Sequence, residues 1–163
     1  MRNLLEMIYE HQLLRSKERD LDIALDPAER VRMMGLHRLL QGETPDPQNR
    51  VFARVRMSIP VQFTRPGGFE SGEIRDLGGG GFLILTSKAQ DVGTRIIIRI
   101  EDPQLGCEYV FPCVVKWRAK RGPGRMGVAL DGVPNRGDLY EESTGVWRKS
   151  LRLGEDPADP MVA

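Results

Sequence analysis

Long apolar runs, cysteines and histidines are scarce in this chain of 163 residues, and each shortage removes a class of function. No apolar stretch approaches the ~20 residues that a membrane-crossing helix needs. Glu6 and Glu10 interrupt any leader-like segment near Met1, so a cytoplasmic protein without membrane insertion is expected. Two cysteines and two histidines cannot supply a Cys/His zinc pattern, and no metal site is expected. Cys107 and Cys113 sit six apart on what reads as one strand, roughly 20 Å at the usual rise, too far apart to pair. A formal net charge of +1 gives no general argument for DNA or an anionic membrane as a partner. No nucleophile has a base placed beside it, because His11 and His37 fall one each in two helical segments. Catalytic residues and a resident cofactor are therefore not expected, and the chain does not read as an enzyme.

Glycine and arginine are what the chain does have. Four consecutive glycines stand in Asp76-Leu77-Gly78-Gly79-Gly80-Gly81-Phe82, between two β-like runs. Glycine is costly to order, so a folded domain keeps a cluster of them where φ is positive or something approaches the backbone closely. A tight turn needs one or two; four suggest a surface against which a ligand lies. The run is neither a P-loop, lacking a following Gly-Lys-Ser/Thr, nor a dinucleotide fingerprint, because a strand rather than a helix follows it. Charge is uneven: residues 1–44 sum to −1, 45–135 to +4 and 136–163 to −2, so the basic excess lies with the glycines. Arginines outnumber lysines 19 to 5, which favours planar, bidentate contacts.

The chain divides into four parts. Residues 1–43 are a helical extension. Its first helix runs from Leu4 to about Arg19, and residues 21–25 form a short strand or an extended connector. A second helix starts at Asp26-Pro27-x-Glu29, a capping box, and ends at Gly42. Met33, Met34, Leu36, Leu39 and Leu40 supply its apolar face. The extension is too small to fold alone and is expected to dock, on its own barrel in preference to a partner's groove. Residues 44–56 are a linker that carries Arg50 and Arg54. Residues 57–133 hold six strand-like runs (57–64, 69–75, 82–86, 94–100, 108–117 and 125–130) separated by Gly/Pro turns, the pattern of an all-β barrel or sandwich. Residues 134–163 would form a short C-terminal helix, from Asp138 to Leu151, and a flexible tail.

One constellation carries chemistry. Paired guanidiniums at Arg50 and Arg54 can fork onto phosphate oxygens or stack on a purine. Asp76 can accept the N–H donors of a guanine edge, and the glycines let backbone meet a base plane. The alternative is that the arginines are solvated charges and the glycines a loose loop.

Arg50-x-x-x-Arg54 followed by Asp76-x-Gly78-x-x-Gly81, with Val114-Val115-Lys116-Trp117 and Arg125-Met126-Gly127-Val128-Ala129-Leu130 downstream, resembles the PilZ domain family over about residues 49–133. The resemblance implies a mainly β protein, built on a six-stranded antiparallel barrel that binds the bacterial second messenger cyclic di-GMP. It implies that Arg50 and Arg54 contact phosphate and guanine, that Asp76 takes a guanine edge, and that Gly81 permits close approach. The family pattern, Asp/Asn-x-Ser-x-x-Gly, has a serine where this chain has Gly78. A lost neutral hydrogen bond costs about 0.5–1.5 kcal/mol net, and a water held at Gly78 would replace part of it. The expected function is a cyclic di-GMP-binding signalling adaptor that acts on a protein partner, in motility or envelope processes. The rivals are a degenerate PilZ-like scaffold that no longer binds the nucleotide, and a flavin-binding split barrel, for which no flavin-phosphate site can be placed.

Overall fold

The computed structural model of the chain describes residues 2–42 and 50–139. Two helices come first, α1 (Arg2–Arg19) and α2 (Pro27–Gln41). The start of α2 follows from its sequence. Asp26 Oδ1 accepts the Glu29 backbone N–H at 2.8 Å, Glu29 Oε1 accepts the Asp26 N–H at 3.1 Å, and Pro27 fills the first turn. Gly42, with φ at 79°, ends the helix. Residues 21–25, open between strand and connector, are a connector: Asp22 takes a left-handed φ of 53° and the Ile23 N–H bonds back to the Lys17 carbonyl at 3.0 Å.

Seven strands follow: β1 (Arg54–Arg65), β2 (Gly68–Gly78), β3 (Gly81–Leu85), β4 (Arg95–Asp102), β5 (Cys107–Arg118), β6 (Arg125–Leu130) and β7 (Asn135–Asp138). The first six close an antiparallel ring in the order β1-β2-β3-β6-β5-β4 and back to β1. β7 lies outside the ring, paired with Cys107–Val110 of β5. The six expected runs all appear, but β1 begins at Arg54 and β2 continues through Asp76 to Gly78. Register shifts on both sides of Arg75 explain the second difference. Against β3 the extra residue is Arg75, and against β1 it lies on β1 between Arg56 and Ile59; such bulges re-aim side chains without ending a strand. The seventh strand reads Asn-Arg-Gly-Asp and carries no apolar alternation, so periodicity could not reveal it. The expected C-terminal helix begins at Asp138, which instead ends β7; its remainder lies outside the described residues.

Inward residues alternate as the pattern requires. Ile59, Val61 and Phe63 on β1, and Ile96, Ile98 and Ile100 on β4, are all at most 4% exposed. Full burial of each is worth roughly 1.5–3 kcal/mol. Phe82 and Phe111 meet edge-on at 5.5 Å inside the ring. Cys107 and Cys113 are both buried and unpaired on β5.

The helical extension docks on its own barrel. Leu5 and Ile8 of α1 enter the barrel's core cluster, as does Leu40 of α2. Polar contacts fix the register: Tyr109 donates to Glu6 Oε2 at 2.7 Å, Arg136 pairs with the same carboxylate, and Gln12 Nε2 donates to the Gly132 carbonyl at 3.0 Å. α2 packs on α1 with Lys17–Glu29 (2.6 Å) and Arg32–Glu10 (2.5 Å) along the seam. Only Leu36 and Leu40 of its expected apolar face are buried. Met34 and Leu39 point to solvent instead, because α2 meets the rest of the molecule along one narrow stripe.

Candidate functional site

The glycine run is a hairpin. β2 ends at Gly78, Gly79 and Gly80 turn the chain, and β3 begins at Gly81. None of the four has positive φ. At Gly78, Gly79 and Gly81 other parts of the chain lie against the backbone, whereas a Cβ on Gly80 would make only an ordinary contact with Phe52, at 3.6 Å. A Cβ on Gly78 would sit 2.8 Å from the Ala53 carbonyl oxygen, and one on Gly81 only 1.9 Å from the Val128 carbonyl oxygen. At Gly79 it would meet the Phe52 ring at 2.9 Å. The sequence expectation is that the four glycines mark a surface against which a ligand lies. Gly78, Gly80 and Gly81 line an open cleft, and the backbones of Gly78 and Gly81 are also packed by the protein itself.

That cleft has a volume of about 370 Å³. Arg50 and Arg54 stand on its rim with Phe52 between them, and Lys116 and Trp117 of β5 face it across Gly127 to Ala129 of β6. Antiparallel pairing fixes the first wall: Arg54 lies opposite Gly78 and Arg56 opposite Asp76, so all four share one face of the β1–β2 ladder. The lining holds three cations and no carboxylate, which suits an anionic ligand.

The structure therefore brings together Arg50, Arg54, Gly78 and Gly81. Asp76 lies two residues further up β2, outside the lining, with Oδ1 3.9 Å from Arg56 Nε. The Gly78 position also differs from expectation. A serine there would need the Ala53 carbonyl to move, so the space its Cβ would take is already filled.

Phe52, Lys116 and Trp117 are among the lining residues that the sequence does not single out as ligand contacts. Trp117 falls on the same alternation as Cys113 and Val115, which are 1% and 0% exposed, and that pattern assigns it to the core. A register shift between Val115 and Trp117 turns it outward, to 40% exposure. Its indole lies over Gly127, where a Cβ would come within 2.0 Å of Nε1. A tryptophan opposite a glycine on a neighbouring strand is a readable sign of such an aromatic cover.

The segment between the arginines is anchored to the helices. The Ala53 N–H donates to the Leu40 carbonyl at 3.0 Å. The Phe52 ring contacts His11 of α1 edge-on at 5.3 Å and His37 of α2 at 4.9 Å. No group of three His, Cys, Asp or Glu side chains that could hold a metal occurs among the described residues, and no helix among them is long and apolar enough to cross a membrane.

Three solved structures are similar at low identity. Bacillus subtilis inhibitor of motility MotI/DgrA is 15% identical, with a TM-score of 0.44, over 56% of this chain and 49% of that one. The PilZ domain of CeSA from a cellulose-synthesizing bacterium is 23% identical, with a TM-score of 0.38, over 48% and 80% of the two chains. The Borreliella burgdorferi PlzA protein in complex with c-di-GMP is 19% identical, with a TM-score of 0.41, over 66% and 43%. The chain thus spans about half the length of the first of these. No curated protein matches it. The family model of the PilZ domain matches residues 48–140, more than half of the chain and the whole ring of strands, and this chain belongs to the PilZ domain family.

Proposed function

We propose that this chain is a cyclic di-GMP receptor that passes nucleotide binding to a protein partner. The observation that carries the reading is the cleft itself, where Arg50, Arg54 and Lys116 surround an exposed indole and a hairpin of bare backbone. Phosphate oxygens would accept from the two guanidiniums, whose planar forks suit them. A guanine would stack on Trp117, since every base presents a π-face and such stacking is worth about 1–3 kcal/mol. Asp76, as an acceptor-only group, would take a guanine N–H edge in exchange for its loose pairing with Arg56.

Binding would be relayed through Phe52. The ligand would draw on the arginines at residues 50 and 54, and the ring between them is set against both helices. Nucleotide can shift the helices only to the extent that it binds one arrangement better than the other.

A second reading, a PilZ scaffold that does not bind nucleotide, is favoured by one observation. Gly78 replaces the family's serine, and the Ala53 carbonyl stands where the side chain would start. Isothermal titration calorimetry with cyclic di-GMP separates the two. Saturable heat, lost in Arg50→Ala and Arg54→Ala and reduced in Asp76→Ala, supports the receptor. No heat at high micromolar nucleotide, with an unchanged melting temperature, leaves the scaffold.

A further inference from the structure

The helices and the residues between the arginines enclose another hollow, of about 530 Å³, that shares Val51 and Phe52 with the cleft. α1 contributes His11 and Arg15 to it, and α2 contributes Met33, Met34 and His37. The lining contains no carboxylate. Met34 on its rim is 69% exposed and Val51 is 60% exposed. Met34 and Val51 are the exposed large apolar side chains in its lining. Arg15 in the lining, and Arg38 one turn beyond Met34, have no ion-pair partner among the described residues.

We infer that this groove docks an amphipathic helix of a protein partner, one whose apolar stripe is flanked by acidic residues. Two packed helices and the Phe52 ring form a trough for a rod-shaped ligand, and thioether side chains adapt to one. Acidic flanks answer Arg15 and Arg38. A second copy of this chain is a poor occupant, because pairing two such faces would bring these arginines together. Phe52 stands in both hollows, so a helix in the groove and a ligand in the cleft touch one rigid ring. That coupling rests on the nucleotide reading; the groove does not. Any such coupling is reciprocal.

The test is fluorescence anisotropy of a labelled 18-residue model helix, with leucines at three- and four-residue spacing flanked by glutamates, titrated with the full chain. Matched peptides carry lysines in place of the glutamates, or a central proline. The acidic helix should bind saturably and about tenfold or more tighter than either control. Met34→Glu and Arg15→Glu should each weaken it by a similar factor with an unchanged melting temperature, and Met34→Leu should not. Equal binding of the lysine peptide, no saturable binding, or full affinity in Met34→Glu overturns the inference. So does a concentration-dependent dimer, in sedimentation, that Met34→Glu abolishes. Cyclic di-GMP in a second titration keeps the readings apart. Peptide binding without any nucleotide effect or heat removes the receptor and keeps the groove, and nucleotide heat without peptide binding does the reverse.

Discussion

Gly78 and Ala53 are in contact through the space that a side chain would occupy: a Cβ at position 78 would lie 2.8 Å from the Ala53 carbonyl oxygen. The obstacle is backbone, which cannot swing aside as a flexible side chain can. Ala53 is itself held by its hydrogen bond to Leu40. The departure from the family's serine is thus built into how the arginine segment seats on the barrel.

Restoring that serine should harm the protein. Gly78→Ser is expected to cost about 1–3 kcal/mol, the usual range for overpacking. The melting temperature should fall by roughly 2–4 °C per kcal/mol. Cyclic di-GMP affinity should not improve, although the added hydroxyl offers a donor. A serine variant that melts like the parent and binds more tightly would show that Ala53 yields easily.

Gly127→Ala should displace the Trp117 indole, since the new methyl would lie 2.0 Å from Nε1. The obstacle here is a partly exposed side chain, so the fold should survive with a modest loss of stability. In a Trp147→Phe background, Trp117 emission should shift and become easier to quench with acrylamide. Unchanged emission would mean that the ring does not rest on Gly127.

Arg99 and Glu108 form a buried pair, 2.6 Å apart, with side chains 7% and 1% exposed. Arg99 also donates to Gln62 at 2.8 Å and pairs with Glu101. Arg99→Leu would strand the Glu108 carboxylate and should cost about 3–5 kcal/mol. The double variant Arg99→Leu/Glu108→Leu should be more stable than Arg99→Leu alone. Urea denaturation decides: losses that simply add would argue against a buried charge pair.

His11 makes the fold sensitive to acid. It is 3% exposed, with His37 of α2 and Phe52 against its ring and Arg15 on its own helix. Burial first, then the charges of His37 and Arg15, lowers its pKa from 6.5 to about 4. Between these values the unfolded chain binds the proton and the folded chain does not. Stability should therefore be full above about pH 6.5 and fall as the pH drops toward about 4, by on the order of 3 kcal/mol at most. His11→Gln should flatten the change in urea midpoint between about pH 7.5 and about pH 5. An equal fall in the variant would assign the acid sensitivity to other groups.

The sequence announced its architecture wherever the physics is local. The Asp26–Glu29 cap, the Ile96-Ile98-Ile100 alternation and the Gly/Pro turns each need only near neighbours, and each appears where expected. Arg50, Arg54, Gly78 and Gly81 were readable as a motif and line one cleft. Features set by distant partners were hidden. Trp117 is turned outward by a register shift, Arg99 is buried by Gln62 and Glu108, and the glycines are held by Ala53 and Val128. β7 owes its existence to the free edge of β5 rather than to its own side chains.

The most direct test of the receptor account is a titration of the Trp147→Phe variant with cyclic di-GMP, reading Trp117 emission. The account expects a saturable change in emission that disappears in Arg54→Ala. Flat emission up to high micromolar nucleotide, in a protein whose melting temperature the nucleotide does not raise, would contradict it.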